Sequence, residues 1–406
     1  MDVTDKPLPP TDQTHHLESE EAENSDQSAT FQAGQVGTIA AAHFIHDSYS
    51  SFLSPLLPAL QASLNINYAL SGSLAVFMQL PSLLNPFIGY LADRISLRYF
   101  IILAPGVTAT LMSSIGLVNS YVALAILLFG VGISIAAFHA PAPAMIGRVS
   151  GPRVGTGMSI FMASGELARA IGPLVVAAGV TWFGLAGIWR LAIIGWLTSI
   201  LLYSRLRHVS ARPKAVRQAP VATALPVARR VFPVLTWLMI GRVFMMAALT
   251  VYLPLFVADV LNADIWLVAG SLTVLEMAGF VGALSSGTMS DRFGRKYVLF
   301  VLLCLAPLLL LAFLYAPDWL TVPILIGLGL TAIAPQPVML ALVQDQFSDH
   351  RALANGTFLA LNFVIRALGI WVVGILADQI GLSSAFLVSA LLAFLAIPAV
   401  FMLPSR

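Results

Sequence analysis

The chain has 406 residues, of which 58% are hydrophobic and 10% are charged. Several apolar stretches exceed the roughly 18 residues that a membrane-spanning helix requires, which excludes a soluble domain. Lipid admits only helices and closed barrels, and the continuous apolar runs exclude the alternating pattern of a barrel. The sequence therefore predicts an all-α polytopic membrane protein that contacts the lipid bilayer and no nucleic acid.

The net charge of +2 hides an uneven distribution of acidic residues. Eight of the 19 Asp and Glu residues precede Ala29, so the remaining chain carries 20 Lys and Arg against 11 acids. Residues 1–35 are polar and acidic and lack the apolar core of a signal peptide, which predicts a disordered cytoplasmic tail. The single Cys304 excludes an intrachain disulfide framework.

Twelve apolar segments follow this tail, in two groups of six. Their predicted bounds are 36–61, 70–91, 99–118, 121–146, 154–182, 187–205, 232–259, 266–288, 297–316, 319–343, 352–378 and 383–403. One long connection between the groups is rich in arginine and proline, which predicts a flexible basic linker. We therefore expect an N-terminal six-helix bundle at 36–205, a linker at 206–231 and a C-terminal six-helix bundle at 232–406.

Basic residues between the segments predict the orientation in the membrane. They fall on the side of the two termini, at Arg94, Arg98, Arg148, Arg153, Arg205, the linker, Arg292, Arg295, Lys296 and Arg351. The opposite loops carry acids instead, at Asp259, Asp264, Asp318 and Asp378. Because cytoplasmic loops are enriched in Lys and Arg, both termini are expected in the cytoplasm and the protein in the plasma (inner) membrane.

The fifth segment carries charge where lipid tolerates it least. Glu166 and Arg169 lie near its middle, three residues apart and on one helix face. A central charge costs about 2.5–3.5 kcal/mol on the insertion scale, so these two side chains should face a protein-lined interior. Ionisable groups in such a position indicate a functional site.

The two groups of segments repeat with a separation of 197 or 198 residues. Matching pairs are Gly89 and Gly287, Asp93 and Asp291, Arg94 and Arg292, Gly132 and Gly329, His139 and Gln336, and Arg169 and Arg366. Parallel repeats of six spans predict two pseudo-symmetric bundles related about the membrane normal, with a site between them.

Two matching loops carry a family resemblance. The stretches Gly89-Tyr-Leu-Ala-Asp93-Arg94 and Gly287-Thr-Met-Ser-Asp291-Arg292-Phe-Gly294-Arg295-Lys296 resemble the signature loop of the major facilitator superfamily. They lie between segments 2 and 3 and between segments 8 and 9, as in that family. The resemblance covers about residues 36–403 and implies the major facilitator fold. Three further stretches, His43–Tyr49, Phe138-His139 and Gly165–Pro173, resemble its fosmidomycin-resistance-like efflux branch.

The signature loops predict a conformational latch on the cytoplasmic side. An Asp there can cap a helix or pair with a nearby Arg, and an opening motion would break those contacts. The residues expected to form the latch are Gly89, Asp93, Arg94, Gly287, Asp291, Arg292 and Arg295.

Arginines at matching positions predict an anion site. Arg169 and Arg366 each offer five donors in a fork that fits a carboxylate or phosphate. The alternative is structural: Arg169 pairs with Glu166, and Arg366 binds carbonyls at a helix end. Arg242 is a third candidate for substrate contact. The remaining substrate-binding candidates are His139, Tyr49 and Gln336.

Carboxylates beside histidines predict a proton site. In the first segment Asp47 lies next to His43 and His46, and a carboxylate beside imidazoles can exchange protons near neutral pH. The alternative is an Asp47–Arg242 ion pair that holds the two halves together. Glu166 and Glu276 are the other candidates for carrying the proton.

These residues together predict a secondary transporter that works by alternating access. We expect export of a small organic anion or drug in exchange for protons, by a monomer without cofactor or metal. The sequence contains no ATP-binding GxxxxGK[ST] loop, HExxH or CxxC motif, so we do not expect an enzyme. Two alternatives stay open: a proton symporter or uniporter that takes up a small metabolite, and a non-transporting membrane receptor.

Overall fold

The computed structural model describes residues 30–85, 87–88, 96–209, 225–347 and 351–403. The described residues form twelve spans, α1 to α12. Their bounds are Ala33–Ser50 with Leu53–Leu64 for α1; Tyr68–Leu84 for α2, Arg98–Leu117 for α3 and Tyr121–His139 for α4; Val154–Phe183 for α5; Leu185–Leu206 for α6, Leu225–Asp259 for α7, Ile265–Phe293 for α8, Arg295–Tyr315 for α9 and Thr321–Val343 for α10; Arg351–Ile380 for α11; and Leu382–Met402 for α12.

The prediction of an all-α polytopic membrane protein is confirmed. Ten of the described helices are long and apolar enough to cross a membrane by length and composition. The other two spans are α2, which is shorter, and α1, which is interrupted at Ser51-Phe52. Several bounds differ from the prediction. The helix α7 begins at Leu225, inside the segment expected to be linker, α4 ends at His139 rather than at 146, and α8 extends to Phe293 rather than to 288. The tail before residue 30 and the middle of the linker, 210–224, lie outside the described residues.

Proline decides where α4 ends. The helix stops at His139, and a short helix, Ala142–Val149, starts after Ala140-Pro141. Proline has no N–H to continue the hydrogen-bond ladder, and its ring clashes with the preceding turn. The break leaves His139 in the last turn of α4, at the level of the charged residues of α1 and α5.

The hydrophobic core differs between the two sides of the membrane. On the side opposite the termini, which we call the far side, one continuous core joins both bundles and includes Phe52 and Leu56 of α1 and Leu253 and Phe256 of α7. On the side of the termini the described residues form separate cores, a large one around Ile146 and a small one around Leu97 in the first bundle and one in the second. The bundles are therefore packed together on the far side and have independent cores on the termini side.

Polar contacts add to this far-side closure. Both carboxylate oxygens of Asp378, at the end of α11, accept hydrogen bonds from the first backbone N–H groups of α2, at 2.7 Å from Tyr68 and 3.0 Å from Ala69. The hydroxyl of Tyr68 donates to Asp259 of α7 at 2.8 Å. The first N–H groups of a helix have no partner within it, and its N-terminus favours an anion. Asp378 thus fastens one bundle to the other.

Asp378→Asn is expected to loosen the far-side closure. Loss of the charge at the α2 N-terminus costs about 1 kcal/mol, which changes the ratio of closed to open molecules about fivefold. The measurement is the labelling rate of Met78→Cys, a residue that lines the space between the bundles, by a membrane-impermeant maleimide applied to the far side of a Cys304→Ser protein.

The matched control for this experiment is Asp264→Asn. Asp264 also caps a helix on the far side, but among the described residues it accepts only from Leu267 of its own helix, at 2.9 Å. It should leave the labelling rate unchanged. Equal rates in the two variants would show that Asp378 does not hold the far side closed.

Two matching glycines allow neighbouring helices to touch within each bundle. A Cβ built on Gly132 of α4 would overlap the carbonyl oxygen of Met78 in α2, and a Cβ on Gly329 of α10 would overlap that of Leu275 in α8. Because the obstacle is backbone, the helices themselves would have to move apart. The repeat is thus preserved in helix packing as well as in sequence.

Gly132→Ala and Gly329→Ala are each expected to lower the melting temperature of the protein in detergent. Overpacking of this kind costs typically about 1–3 kcal/mol. Gly37→Ala in α1 is the control, since nothing lies within 4 Å of its added Cβ, and alanine is favoured over glycine in a helix. Equal melting temperatures for Gly132→Ala and Gly37→Ala would contradict the close contact.

Candidate functional site

A cavity of about 200 Å³ lies between the two bundles. Helices of both bundles line it, and its wall combines serine hydroxyls, apolar side chains and three charged groups. The lining residues are Ser50, Ser51, Ser54, Met78, Gln79, Ile135, Arg169, Pro173, Thr250, Leu272, Glu276, Phe363 and Arg366. The charged groups are two arginines and one glutamate, and the two arginines are the pair that the repeat had matched.

Arg169 reaches the cavity from α5 with two acids beside it. Its guanidinium forms an ion pair with Glu166, one turn earlier on the same helix. Its NH1 nitrogen also lies 3.9 Å from a carboxylate oxygen of Asp47 in α1. The pairing with Glu166 was the structural alternative considered for Arg169, and the structure contains it together with exposure to the cavity. Two acidic neighbours therefore hold Arg169 in place, and part of its side chain is still exposed to the cavity.

Arg366 reaches the same cavity from α11 with much weaker contacts. Its only hydrogen bond among the described residues is from NH2 to the hydroxyl oxygen of Thr250, at 3.4 Å. No described carboxylate lies within 4.0 Å of it. A half-buried guanidinium without an acidic partner is a strong attractor for an anion, because its charge is only partly screened by water.

Glu276 is the third charged residue of the cavity. Among the described residues, its carboxylate has neither a hydrogen bond nor a basic group within 4.0 Å. The residue 197 positions earlier is Gln79, which also lines the cavity. The two bundles thus contribute the same residue type at the arginine pair. At the pair Gln79 and Glu276 they differ, because one bundle contributes an amide and the other an acid.

Asp47 lies beside the cavity in a buried cluster with three histidines. Its carboxylate oxygens are 3.2 Å from Nε2 of His43, 2.9 Å from Nδ1 of His46 and 3.3 Å from Nε2 of His139. His46 continues the network to the hydroxyl of Thr108 at 3.1 Å. The structure therefore brings the residues predicted for proton exchange in α1 together with His139 of α4.

Three other candidates for substrate contact lie away from the cavity lining. Arg242 is 4% exposed, donates to the carbonyl of Ala332 at 2.6 Å, and contacts Gln336 at 3.2 Å. The alternative Asp47–Arg242 ion pair is not among the described contacts. Tyr49 is buried in the far-side core and donates to the carbonyl of Leu191. Arg242 and Tyr49 serve packing in this conformation, although both are polar residues of membrane spans.

The second signature loop is held by ion pairs between basic and acidic residues. Arg295, at the start of α9, pairs with Asp291 of α8 at 2.7 Å and with Asp345, in the last turn of the helix Pro335–Gln346 that completes α10, at 3.2 Å. Gly294 between the helices has φ +93°, which favours glycine. These contacts stay within the second bundle. Arg292 rests on the ring of Phe293, and Gly287 has free space around it. The first loop, with Gly89, Asp93 and Arg94, lies outside the described residues.

The roles of Asp378 and Tyr68 were not predicted from the sequence. Asp378 was used only as a charge that indicates orientation, and Tyr68 was not singled out at all. The signal was an acidic residue at the last turn of an apolar span, where it can reach a neighbouring helix N-terminus. Which helix it reaches depends on the packing of α11 against α2, which no local pattern records.

A polar cavity between two matching six-helix bundles is the architecture of a membrane transporter. The chain belongs to the Major Facilitator Superfamily, whose family model matches residues 39–347 and 284–406. The prediction of this family is confirmed.

Curated relatives and solved structures agree with this assignment. The fosmidomycin resistance protein of Escherichia coli is 25% identical over 356 residues, which cover 86% of this chain and 87% of the relative. The uncharacterized MFS-type transporter YfnC of Bacillus subtilis is 25% identical over 362 residues, covering 85% and 87%. A mutant form of the nucleoside transporter NupG shares the fold with a TM-score of 0.74 at 17% identity, covering 91% and 100%. An inward-facing, unoccupied bacterial homolog of the human lysosomal transporter Spinster has a TM-score of 0.69 at 16% identity, covering 92% and 95%.

Proposed function

We propose that this protein is a secondary active transporter that moves a small organic anion or drug across the plasma membrane in exchange for protons. The observation that carries the proposal is the cavity itself, in which two arginines from matching positions face one glutamate without a described partner. Both termini are then cytoplasmic, and rocking of the bundles exposes the cavity to each side in turn.

The arginines support an anion as the substrate. Among the described residues Arg366 has one weak neutral contact and no ion pair, so a carboxylate or phosphate group can bind it without displacing a described acid. Arg169 is already partly neutralised by Glu166 and serves as the second, weaker contact. The cavity of about 200 Å³ is small, which favours a compact molecule. Phe363, Leu272 and Ile135 offer apolar wall for the rest of it.

The proton is best placed on Glu276. Of the three predicted carriers, Asp47 is enclosed by three histidines and Glu166 is paired with Arg169, whereas Glu276 has no such partner among the described residues. A carboxylate that faces an open cavity can take up and release a proton without dismantling a network. Charge on Glu276 then affects every other charged group in the cavity.

Whether protonation of Glu276 weakens or strengthens substrate binding distinguishes exchange from cotransport. If the substrate donates a hydrogen bond to the Glu276 carboxylate, a proton there displaces it, and substrate and proton exclude each other as exchange requires. If the substrate has no such donor, an ionised Glu276 competes with it for Arg366, and protonation helps binding. The second case is the symporter. The similarity to the fosmidomycin resistance protein favours export and the first case.

Transport by proteoliposomes tests the proposal. Purified protein is reconstituted, a pH gradient is imposed, and movement of a panel of small organic anions that includes fosmidomycin is followed. Exchange predicts accumulation of the substrate in the more acidic compartment, whereas symport predicts accumulation in the more alkaline one. Absence of counterflow for every anion in the panel, with protein shown to be folded, would overturn the proposal of an anion transporter.

A further inference from the structure

The cluster around Asp47 has a hydrogen-bonding pattern that neutral histidines and an ionised carboxylate do not satisfy by themselves. His43 Nδ1 lies 2.8 Å from the carbonyl oxygen of Phe161, and His139 Nδ1 lies 3.0 Å from that of Ile135. A carbonyl only accepts, so each Nδ1 must carry the hydrogen. In the neutral rings, both Nε2 atoms then present lone pairs.

Those two lone pairs point at each other and at an acid. The Nε2 atoms of His43 and His139 are 3.2 Å apart. They lie 3.2 Å and 3.3 Å from the two carboxylate oxygens of Asp47. Two imidazole lone pairs and an ionised carboxylate this close repel one another unless a proton or a metal ion lies among them. A single proton can bridge only two of the three, whereas a metal ion can contact all of them.

The spacing fits a tetrahedral metal ion. With bonds of about 2.0–2.1 Å, two ligand atoms on a tetrahedron are roughly 3.3–3.4 Å apart. The two imidazole nitrogens are 3.2 Å apart, close to that value, and each lies 3.2 or 3.3 Å from a different carboxylate oxygen of Asp47. One ligand atom from each of the three residues lies within 4.8 Å of the others. Two imidazoles and one carboxylate are a ligand set that suits zinc and its neighbours. The side chain of His139 is 34% exposed, so water can approach this ring.

The surroundings hold these ligands in position. Metal-binding histidines usually donate their second N–H to a carbonyl or carboxylate, and both rings do so here. The ring of His43 stacks on Phe161 with centroids 3.9 Å apart. His46 Nδ1 lies 2.9 Å from the carboxylate of Asp47 and fixes its orientation. A Cβ on Gly165 would overlap the His43 ring, so a glycine at this position provides the space that the ring occupies.

We propose that His43, Asp47 and His139 bind a divalent transition-metal ion of the zinc class. All three belong to α1 and α4 of the first bundle, so the ion fastens these helices to each other and leaves the movement between bundles free. Arg169, 3.9 Å from Asp47, opposes the ion by its charge and lowers the affinity for it. The site is separate from Glu276 and Arg366 and goes beyond the proposed function.

Metal binding by the purified full chain tests this proposal. The protein is isolated with a histidine-free tag, stripped with a chelator and titrated with Zn²⁺ and with Co²⁺. We expect one saturable site per chain, a visible Co²⁺ spectrum typical of tetrahedral geometry, and a higher melting temperature with Zn²⁺. His43→Ala and His139→Ala should each weaken binding by at least about 100-fold.

Controls distinguish this site from histidines outside the cluster and from transport. The triple variant His15→Ala, His16→Ala and His208→Ala should bind the metal as the parent does. Glu276→Gln should also bind it unchanged, whatever its transport activity. His139→Ala, which removes the partly exposed ring, is checked for folding by its melting temperature in chelator. Absence of saturable binding to the parent, or binding that survives His43→Ala with His139→Ala, overturns the proposal.

Discussion

Arg366→Ala is expected to weaken binding of the transported anion by about 10- to 100-fold. A hydrogen bond to a charged group contributes about 1.5–3 kcal/mol, and each 1.4 kcal/mol is tenfold in affinity. The residue lends itself to this test because its only described hydrogen bond is the 3.4 Å contact to Thr250, so its removal disturbs little else. Affinity is measured by isothermal titration or scintillation proximity with the substrate that the transport assay identifies.

Two further variants show whether charge or shape matters at this position. Arg366→Lys keeps the charge but loses the planar fork, so binding should recover only in part. Arg207→Ala removes an exposed arginine just after α6, where it lies over the ring of Tyr203, and should leave affinity unchanged. An Arg366→Ala protein that binds as tightly as the parent would exclude Arg366 from the substrate site.

The effect of replacing Arg169 is harder to interpret than the effect of replacing Arg366. Its removal would leave Glu166 without its ion-pair partner and would take a cation away from Asp47. Stranding a buried charge is costly, so a loss of transport in Arg169→Ala could reflect a loss of folded protein. Arg366 occupies the matching position in the second bundle, and its replacement is therefore the better test of anion binding.

Glu276→Gln is expected to abolish accumulation driven by a pH gradient while counterflow of the substrate continues. Glutamine keeps the size of the side chain but cannot exchange a proton, so the cavity can still bind and release but cannot couple. The dependence of affinity on pH should disappear with it. Coupled and uncoupled movement are compared in the same proteoliposomes, with and without an imposed gradient.

The affinity of Glu276→Gln also decides the direction of coupling. The amide resembles the protonated acid, so exchange predicts weaker substrate binding than in the parent at neutral pH, and symport predicts tighter binding. The matching position supplies a swap: Gln79→Glu combined with Glu276→Gln restores a carboxylate to the same cavity and should restore part of the coupling. Full gradient-driven accumulation by Glu276→Gln alone would rule out Glu276 as the proton carrier.

Some features of the fold and the site could be predicted because they are local or periodic. Long apolar runs fix the helices, since backbone groups in lipid must be paired within a span. The 197-residue repeat matched Arg169 with Arg366, and the structure places both in one cavity. Matching positions in two similar bundles both face the axis that relates the bundles. The repeat therefore indicated which face of each helix points toward the cavity, and the sequence of a single helix does not.

Other residues could not be placed without the packing. Arg242, Tyr49 and Glu276 are all polar residues near the middle of a span, and nothing in the local sequence distinguishes them. The structure puts Arg242 on a carbonyl inside its own bundle, Tyr49 in the far-side core, and Glu276 in the cavity. A few tens of degrees of helix rotation separate these outcomes, and rotation is set by neighbouring helices.

By itself, the sequence determined the class of protein, the approximate positions of its spans, the two-bundle repeat and the pair of arginines. These follow from the cost of exposing backbone or charge to lipid, which acts on each segment separately. Only the tertiary structure decided that the far side is closed through Asp378, that Glu276 has no described partner, and that His43 and His139 converge on Asp47. Those features depend on atoms more than 90 residues apart meeting within about 3 Å, and such contacts arise when helices pack.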